Sequence, residues 1–89
     1  MVIYEWDEEK RLDNLAKHAV DFVDAIEFEW DTALVVEDSR RTYGEPRYIA
    51  YGMIEIRLMV LVFTPRGEAV RIISFRKANK REEMRYGQD

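Results

Sequence analysis

Six consecutive apolar residues at positions 58–63 (LMVLVF) constrain the fold of this 89-residue chain more than any other feature. Because alternate side chains of a strand point to opposite faces, a strand without polar residues must be covered on both faces. The next residues, 64–67 (TPRG), contain the proline and glycine typical of a hairpin turn, and a β-rich stretch follows at 69–75. The run therefore predicts the central strand of a sheet with helices packed against it.

Two helices are predicted before most of this sheet. Asp7 is a suitable N-cap for an amphipathic helix over residues 8–18, and Asp21 is a suitable N-cap for a second helix that ends before Trp30. We expect Trp30, like Trp6, to lie in the core. The helical side chains expected to be buried are Leu12, Leu15, Ala16, Phe22, Ala25, Ile26 and Phe28.

The complete pattern predicts one α+β domain, with a mainly antiparallel sheet, two N-terminal helices and one C-terminal helix. Asn79 and Glu82 have capping-box spacing and begin the C-terminal helix, over residues 80–86. No residue typical of a turn follows Gly52 before the next strand begins. The five expected strands cover residues 2–6, 33–37, 48–52, 57–64 and 69–75.

The hairpin turn also suggests a register for the two strands that it joins. If Thr64 opposes Glu68, then Arg57 opposes Phe75 and Ile56 opposes Arg76, as in a regular antiparallel ladder. In that register Arg71 and Arg76 lie an odd number of residues apart on one strand, so their side chains point to opposite faces. Arg57 then shares its face with Arg71.

Charge is distributed unevenly along the chain. Residues 1–38 contain three basic and twelve acidic side chains, whereas residues 39–89 contain eleven basic and six acidic ones. We expect the basic half to form a continuous positive surface that binds phosphate; the alternative is a solvated surface with internal ion pairs. Its basic residues are Arg40, Arg41, Arg47, Arg57, Arg66, Arg71, Arg76, Lys77, Lys80, Arg81 and Arg85.

Several function classes are disfavoured. The chain has no cysteine and one histidine, so disulfides, thiolate catalysis and a metal centre are not expected, and no nucleotide-binding glycine loop indicates a cofactor. No apolar run is long enough to cross a membrane, and the N-terminus does not resemble a signal peptide, so we expect a cytoplasmic protein.

The remaining polar side chains suit one reaction that needs no cofactor, the cleavage of RNA by its own 2′-OH. Arg76, at the end of a strand, is the best candidate for stabilising charge on the phosphate; the alternative is a surface ion pair. As an exposed side chain, it should be dispensable for folding. Tyr86 is a candidate proton donor or base-stacking residue, or it packs the terminal helix onto the sheet.

Three further positions are weaker candidates. Lys17 and His18 end the first helix, where the helix dipole favours a cation and where a lone histidine is more often structural. Arg47 with Glu45 is either a phosphate binder with a base or an exposed ion pair, and Arg57 is another basic candidate.

Two segments of the chain resemble the BrnT toxin family. Residues 6–25 (WDEEKRLDNLAKHAVDFVDA) are similar to the family's opening pattern W-D-x-x-K-x-x-x-N-x-x-K-H-G-V-x-F-x-x-A. Residues 44–52, 58–64, 71–78 and 82–86 are similar to its later part, so the resemblance covers nearly the whole chain. Ala19 stands where the family usually has glycine, and Phe75 stands where a small residue is common and so is expected to crowd Arg76.

The resemblance implies a RelE-like fold over the whole chain and an endoribonuclease toxin that cleaves RNA without a metal. It implies inhibition by a BrnA-like antitoxin with a ribbon-helix-helix region. It also implies that the pair contacts operator DNA only through this antitoxin. By position, Arg76 and Tyr86 are the foremost catalytic candidates, followed by Arg47 and Arg57. The alternatives are a catalytically weak module that binds the antitoxin as a co-repressor, and a purely structural domain.

Overall fold

The computed structural model describes residues 1–40 and 42–87, so Arg41 lies outside the described residues. Their five strands form one sheet in the order β1-β5-β4-β3-β2, in which only the β1–β5 pair is parallel. The α+β class and the central position of the apolar strand are therefore confirmed. The elements are β1 (Ile3–Glu5), α1 (Glu8–His18), a 3₁₀ helix (Phe22–Glu27), β2 (Leu34–Glu37), β3 (Tyr48–Ile54), β4 (Arg57–Arg66), β5 (Ala69–Lys77) and α2 (Lys80–Tyr86).

The central strand β4 is covered on both faces, as its sequence predicts. One face carries Met59, Leu61 and Phe63, which pack in a core with the 3₁₀ helix and the partly buried side chains of Trp6 and Trp30. The other face carries Leu58 and Val60, which pack beneath α2 and its Tyr86. We call this second side of the sheet the α2 face.

The β4–β5 hairpin is tighter than the predicted turn. Its loop consists of Gly67 and Glu68 alone, and β4 continues through Pro65. Gly67 adopts a φ of +60°, which a glycine in a two-residue hairpin loop accepts without steric cost. The predicted register is therefore wrong.

A bulge shifts the register of β5 a second time. Phe63 pairs with Ile72, but the next residue of β4 towards its N-terminus pairs with Ser74, so Ile73 is the extra residue. Beyond the bulge, Leu61 opposes Phe75 and Val60 opposes Arg76, whereas the prediction paired Arg76 with Ile56. A bulge changes the face to which the side chains beyond it point, and the periodicity of the sequence does not show where the bulge lies.

The β3–β4 hairpin forms without a turn-type residue. Strand β3 continues through Ile54, two residues further than predicted, and pairs there with Arg57. Glu55 occupies the left-handed region at φ +55°, which non-glycine residues seldom adopt. The long apolar pairing of the two strands determines this tight connection.

Helix α1 packs on the sheet through an amide rather than through an apolar stripe. Leu12 and Leu15 are 51% and 37% exposed, so the expectation that they are buried is wrong. Ala16 and, in the 3₁₀ helix, Ile26 are likewise exposed. The buried side chain of α1 is Asn14.

Asn14 completes the edge of β5. Strand β1 pairs only with residues 69–71, and beyond them the Asn14 side chain takes the place of a neighbouring strand. Its Oδ1 accepts from the Phe75 N–H at 3.1 Å, and its Nδ2 donates to the carbonyl oxygens of Phe75 at 2.7 Å and Val20 at 3.0 Å. One side chain thus satisfies backbone groups that would otherwise be buried without partners.

We predict that Asn14→Ala lowers the free energy of unfolding by about 2 kcal/mol or more, because both backbone groups of Phe75 lose their partner. Urea unfolding measures the effect. Asp13→Ala, at the neighbouring exposed position, is the control and should change stability by less than about 0.5 kcal/mol. Equal stability of the two variants would contradict this account of the β5 edge.

A second prediction concerns the end of α1, where Ala19 adopts φ 59° and its N–H donates to the Leu15 carbonyl. Ala19→Gly should raise the free energy of unfolding by about 0.5–1 kcal/mol, because glycine enters the left-handed region without a Cβ clash. Ala16→Gly, inside the helix, should lower it by a similar amount. A loss of stability in both variants would refute the assignment.

Candidate active site

The candidate site lies on the α2 face, where three strands place side chains in one row. Tyr51 of β3 opposes Val60 of β4, and Val60 opposes Arg76 of β5. Paired residues of neighbouring strands point to the same face, so the apolar Val60 separates a phenol from a guanidinium. Helix α2 lies over this row.

Arg76 is held in place by a two-pronged hydrogen bond. Its Nη1 and Nη2 each donate to one carboxylate oxygen of Glu82, both at 2.8 Å, and Nη1 also approaches the Lys77 carbonyl at 3.3 Å. The Arg76 side chain is 30% exposed and the Glu82 side chain 17%. Hydrogen bonding to Arg76 lowers the pKa of Glu82, and the same contact raises the pKa of Arg76.

Glu82 has a second structural role at the start of α2. Its Oε1 accepts from the Asn79 N–H, and Asn79 Oδ1 accepts from the Glu82 N–H, which completes the capping box. The carboxylate therefore joins the first turn of α2 to Arg76. This contact makes Arg76 part of the packing of α2, which disagrees with the expectation that it is a freely exposed side chain.

Tyr86 stacks on Tyr51 at the other end of α2. Their ring centroids are 3.9 Å apart and the ring planes are inclined by 19°. Burial raises the pKa of Tyr51, so its phenol keeps its proton at neutral pH. The structure therefore places Tyr86 in the row of Tyr51 and Arg76, and it also gives Tyr86 a packing role.

His18 lies at the edge of the sheet, at the end of α1 and beside the bulged part of β5. It is partly buried at the end of α1, and it lines a cavity with Lys17 and Ser74. Burial lowers the pKa of His18, and the positive charges of Lys17 and Arg76 lower it further. The lowered pKa keeps the imidazole neutral at pH 7.

The bulge at Ile73 places Arg71 on the same face as Arg76. Arg71 opposes Thr64, whereas the adjacent pair of Phe63 and Ile72 points into the core on the other side. The predicted opposite orientation of Arg71 and Arg76 is therefore wrong. Arg71 Nη1 donates to Glu5 Oε2 at 3.0 Å.

Arg47 belongs to the loop between β2 and β3. Its guanidinium lies 4.1 Å from the centre of the Tyr43 ring, and its Nε is 3.7 Å from a Glu45 carboxylate oxygen. This buried Nε has no hydrogen-bond partner among the described residues. Asp38 closes the loop by donating its N–H to the Arg47 carbonyl at 2.8 Å.

Arg57 lies away from the other candidates. It alternates with the α2-face residue Leu58 at the exposed start of β4, so it points to the opposite face. There it lines a cavity with Asp24, Glu27 and Lys77. The six candidate positions therefore do not form one cluster. Arg76 and Tyr86 lie on the α2 face, Lys17 and His18 line a cavity with Ser74, Arg47 lies in the loop before β3, and Arg57 points to the opposite face.

Phe75 does not crowd Arg76. Its side chain is fully buried in the core on the helix side of the sheet, whereas the next residue, Arg76, points to the α2 face. Alternation along the strand separates the two side chains. The expected interference is therefore wrong.

Five arginines of the basic half lie within 4.0 Å of a carboxylate oxygen, so the expectation of a continuous positive surface is wrong for them. The pairs are Arg40 with Asp38, Arg47 and Arg66 with Glu45, Arg71 with Glu5, and Arg76 with Glu82. The Asp38 carboxylate is buried, and hydrogen bonds from Arg40 hold its pKa well below the usual range. These arginines therefore follow the alternative interpretation of the charge pattern, in which basic and acidic residues form ion pairs within the chain.

Sequence reasoning missed two neighbours of Arg76. The sequence pattern indicates Glu82 only as a capping residue and Tyr51 only as part of a strand. Alternation along β3 would show that Tyr51 shares a face with Ile49, but only the strand register shows that it lies beside Arg76. For Glu82 no signal in the sequence indicates a bond to a residue six positions earlier, on a different element.

The described residues include no group of three His, Asp or Glu side chains close enough to hold a metal ion together. Among the same residues, no helix has both the length and the apolar character needed to cross a membrane.

Comparison with known families provides the class of protein. The family model described as "Ribonuclease toxin, BrnT, of type II toxin-antitoxin system" matches residues 6–82, which include Lys17, His18 and Arg76. Because this match spans most of the chain, the protein belongs to the BrnT family of ribonuclease toxins, and the resemblance seen in the sequence is confirmed. A toxin of this class has an antitoxin partner. No curated protein sequence matches the chain.

Proposed function

We propose that this protein is an endoribonuclease toxin that cleaves RNA without a metal ion. The observation that carries the proposal is the row on the α2 face, in which a guanidinium fixed by Glu82 lies across Val60 from the Tyr51 phenol, on which Tyr86 stacks. The imidazole of His18 lines the cavity at the adjoining edge of β5. A RelE-like fold, growth arrest on expression and a cytoplasmic location belong to the same proposal. So does inhibition by a BrnA-like antitoxin, which would link the toxin to operator DNA.

In the proposed reaction the RNA provides its own nucleophile. Neutral His18 accepts the proton of the 2′-OH, whose oxygen forms a bond to the adjacent phosphorus. The bond from phosphorus to the 5′ oxygen breaks, and a phenol, Tyr86 or Tyr51, donates the proton that this oxygen needs. The products are a 2′,3′-cyclic phosphate and a free 5′-OH.

Arg76 would stabilise the negative charge that develops on the phosphate. Its bonds to Glu82 use one N–H on each terminal nitrogen, and the contact with the Lys77 carbonyl uses the second N–H of Nη1. The Nε–H and the second N–H of Nη2 have no hydrogen-bond partner among the described residues. A guanidinium has five N–H donors, so Arg76 can contact a phosphate without releasing Glu82. Glu82 thus positions Arg76 before the substrate arrives.

The antitoxin is proposed to cover this site and so exclude RNA. Occupancy of the α2 face would inhibit cleavage, and binding to the folded toxin alone would also raise its melting temperature.

Arg76→Ala should reduce RNA cleavage by about 10²–10³-fold, because one donor to the transition-state charge is lost. It should also lower the free energy of unfolding by about 1–2 kcal/mol, since the mostly buried Glu82 carboxylate loses its charged partner. Arg76→Lys should restore only part of the activity, because a point charge lacks the two-pronged geometry. Cleavage assays and urea unfolding of the purified variants measure both effects.

The double variant Arg76→Ala/Glu82→Gln separates the two roles. Glutamine keeps the capping box and removes the uncompensated charge, so stability should recover while activity stays low. Full activity of Arg76→Ala would remove Arg76 from the site. Recovery of both stability and cleavage in the double variant would make Arg76 purely structural.

Cleavage should also depend on pH through His18. Because the folded pKa of His18 lies below 6.5, the neutral base is present at pH 7, and the rate should fall as the pH drops through that pKa. The charged groups around the imidazole are Lys17, Arg76 and, in the shared cavity, Lys10 and Asp13. Single-turnover cleavage between pH 4.5 and 8 measures the profile.

His18→Gln should lose this acidic limb, and its rate at pH 7 should fall by about 10²–10⁴-fold. Melting temperatures recorded at each pH distinguish a lower rate from unfolding. An unchanged acidic limb in the variant would assign the base to another group.

The catalytically weak binding module remains the second candidate. It is favoured by the ion pairing of Arg76 with Glu82, which partly neutralises the foremost catalytic cation. Growth arrest with degraded RNA on expression supports the endoribonuclease, whereas antitoxin binding without either effect supports the co-repressor.

A further inference from the structure

A cavity of about 290 Å³ lies between α1 and the bulged part of β5. Helix α1 contributes one long side of it, with Lys10, Asp13, Asn14, Lys17 and His18. Strand β5 contributes the bulge residue and its neighbour, Ile73 and Ser74.

The two lysines of this cavity are available to a ligand. Lys10 and Lys17 are seven residues apart, so they lie on one side of α1 about 10 Å apart along its axis. Both are exposed, and neither has a carboxylate oxygen within 4.0 Å among the described residues. They differ in this respect from the paired arginines of the sheet.

The cavity adjoins the candidate active site. His18, the proposed base, lines it together with Ser74 of β5. Ser74 lies two residues before Arg76 on β5, so its hydroxyl lies on the same face of the sheet. A chain that passes over Arg76 can therefore continue past Ser74 to Lys17 and then Lys10.

We propose that Lys10 and Lys17 form a phosphate-binding subsite for the part of the RNA strand that flanks the scissile phosphate. This proposal rests on the proposed function and names how its substrate is positioned. The two lysines are far enough apart to contact different phosphates, while Ser74 offers a hydroxyl close to the cleavage site. Lysine is a point charge without directional readout, so the subsite increases affinity with little dependence on sequence.

Asp13 provides a test in which the expected change in RNA binding is opposite to that of the lysine variants. Its carboxylate lines the same cavity between the two lysines, where it opposes the binding of an anion. Asp13→Asn should therefore strengthen RNA binding, whereas the lysine variants should weaken it.

The experiment compares wild type with Lys10→Ala/Lys17→Ala on an RNA oligonucleotide of about ten nucleotides and on a dinucleotide that contains only the scissile phosphate. On the longer RNA, we expect the double variant to raise KM about tenfold, because ground-state binding is lost. The single variant Lys10→Ala, which leaves the candidate active site untouched, should raise KM less and keep kcat within twofold. The slope of log KM against log salt should fall by about 0.7 for each lost phosphate contact. Lys10→Ala should cleave the dinucleotide as wild type does.

Lys77→Ala is the matched control, because it removes a lysine from the opposite side of the sheet, where Lys77 lies near Arg57. It should leave KM for the longer RNA unchanged. A double lysine variant that behaves like Lys77→Ala would overturn the subsite. A fall in kcat on the dinucleotide with Lys10→Ala would also overturn it, since Lys10 would then act on the reaction itself.

Binding of a 2′-O-methyl oligonucleotide, which cannot be cleaved, tests the subsite independently of catalysis. Weaker binding by the double lysine variant and tighter binding by Asp13→Asn support the proposal, even if wild type cleaves no RNA and the proposed function fails. Equal binding by all variants overturns it. Loss of antitoxin binding with unchanged oligonucleotide binding would also overturn it, and would assign the lysines to the protein partner.

Discussion

The contact between the Asn14 amide and the backbone of Phe75 is the interaction on which the candidate site depends. It occupies the edge of β5 that the short strand β1 leaves open, and so joins α1 to the sheet. His18 ends the helix that this contact positions, and Arg76 directly follows Phe75 in the chain. One amide therefore positions both the proposed base and the proposed cation.

The terminal helix α2 depends on the same site for its own packing. It is seven residues long and has no buried residue, so little apolar contact holds it in place. The bond from Glu82 to Arg76 and the stacking of Tyr86 on Tyr51 attach it to the sheet. Stability and activity are consequently coupled here, because the side chain proposed to contact phosphate also positions the helix.

Charge pairing changes how the basic half of the chain must be interpreted. Arginines bound to carboxylates do not form a diffuse field that attracts any polyanion, but their side chains are held in defined positions. Preorganised donors favour stabilisation of a transition state over nonspecific binding. In the proposed function, Lys10 and Lys17 of α1, which have no carboxylate partner among the described residues, provide the attraction for the remainder of an RNA strand.

The sequence by itself determined the central strand, the capping residues Asp7, Asp21 and Asn79, and the family, because these depend on residues close together in the chain. Only the tertiary structure decided the register, the extra residue at Ile73 and the partner of Arg76. The face of a side chain depends on every turn length and bulge between two strands, and one residue of difference inverts it. Ion pairs likewise depend on distances that arise only when separate elements pack together.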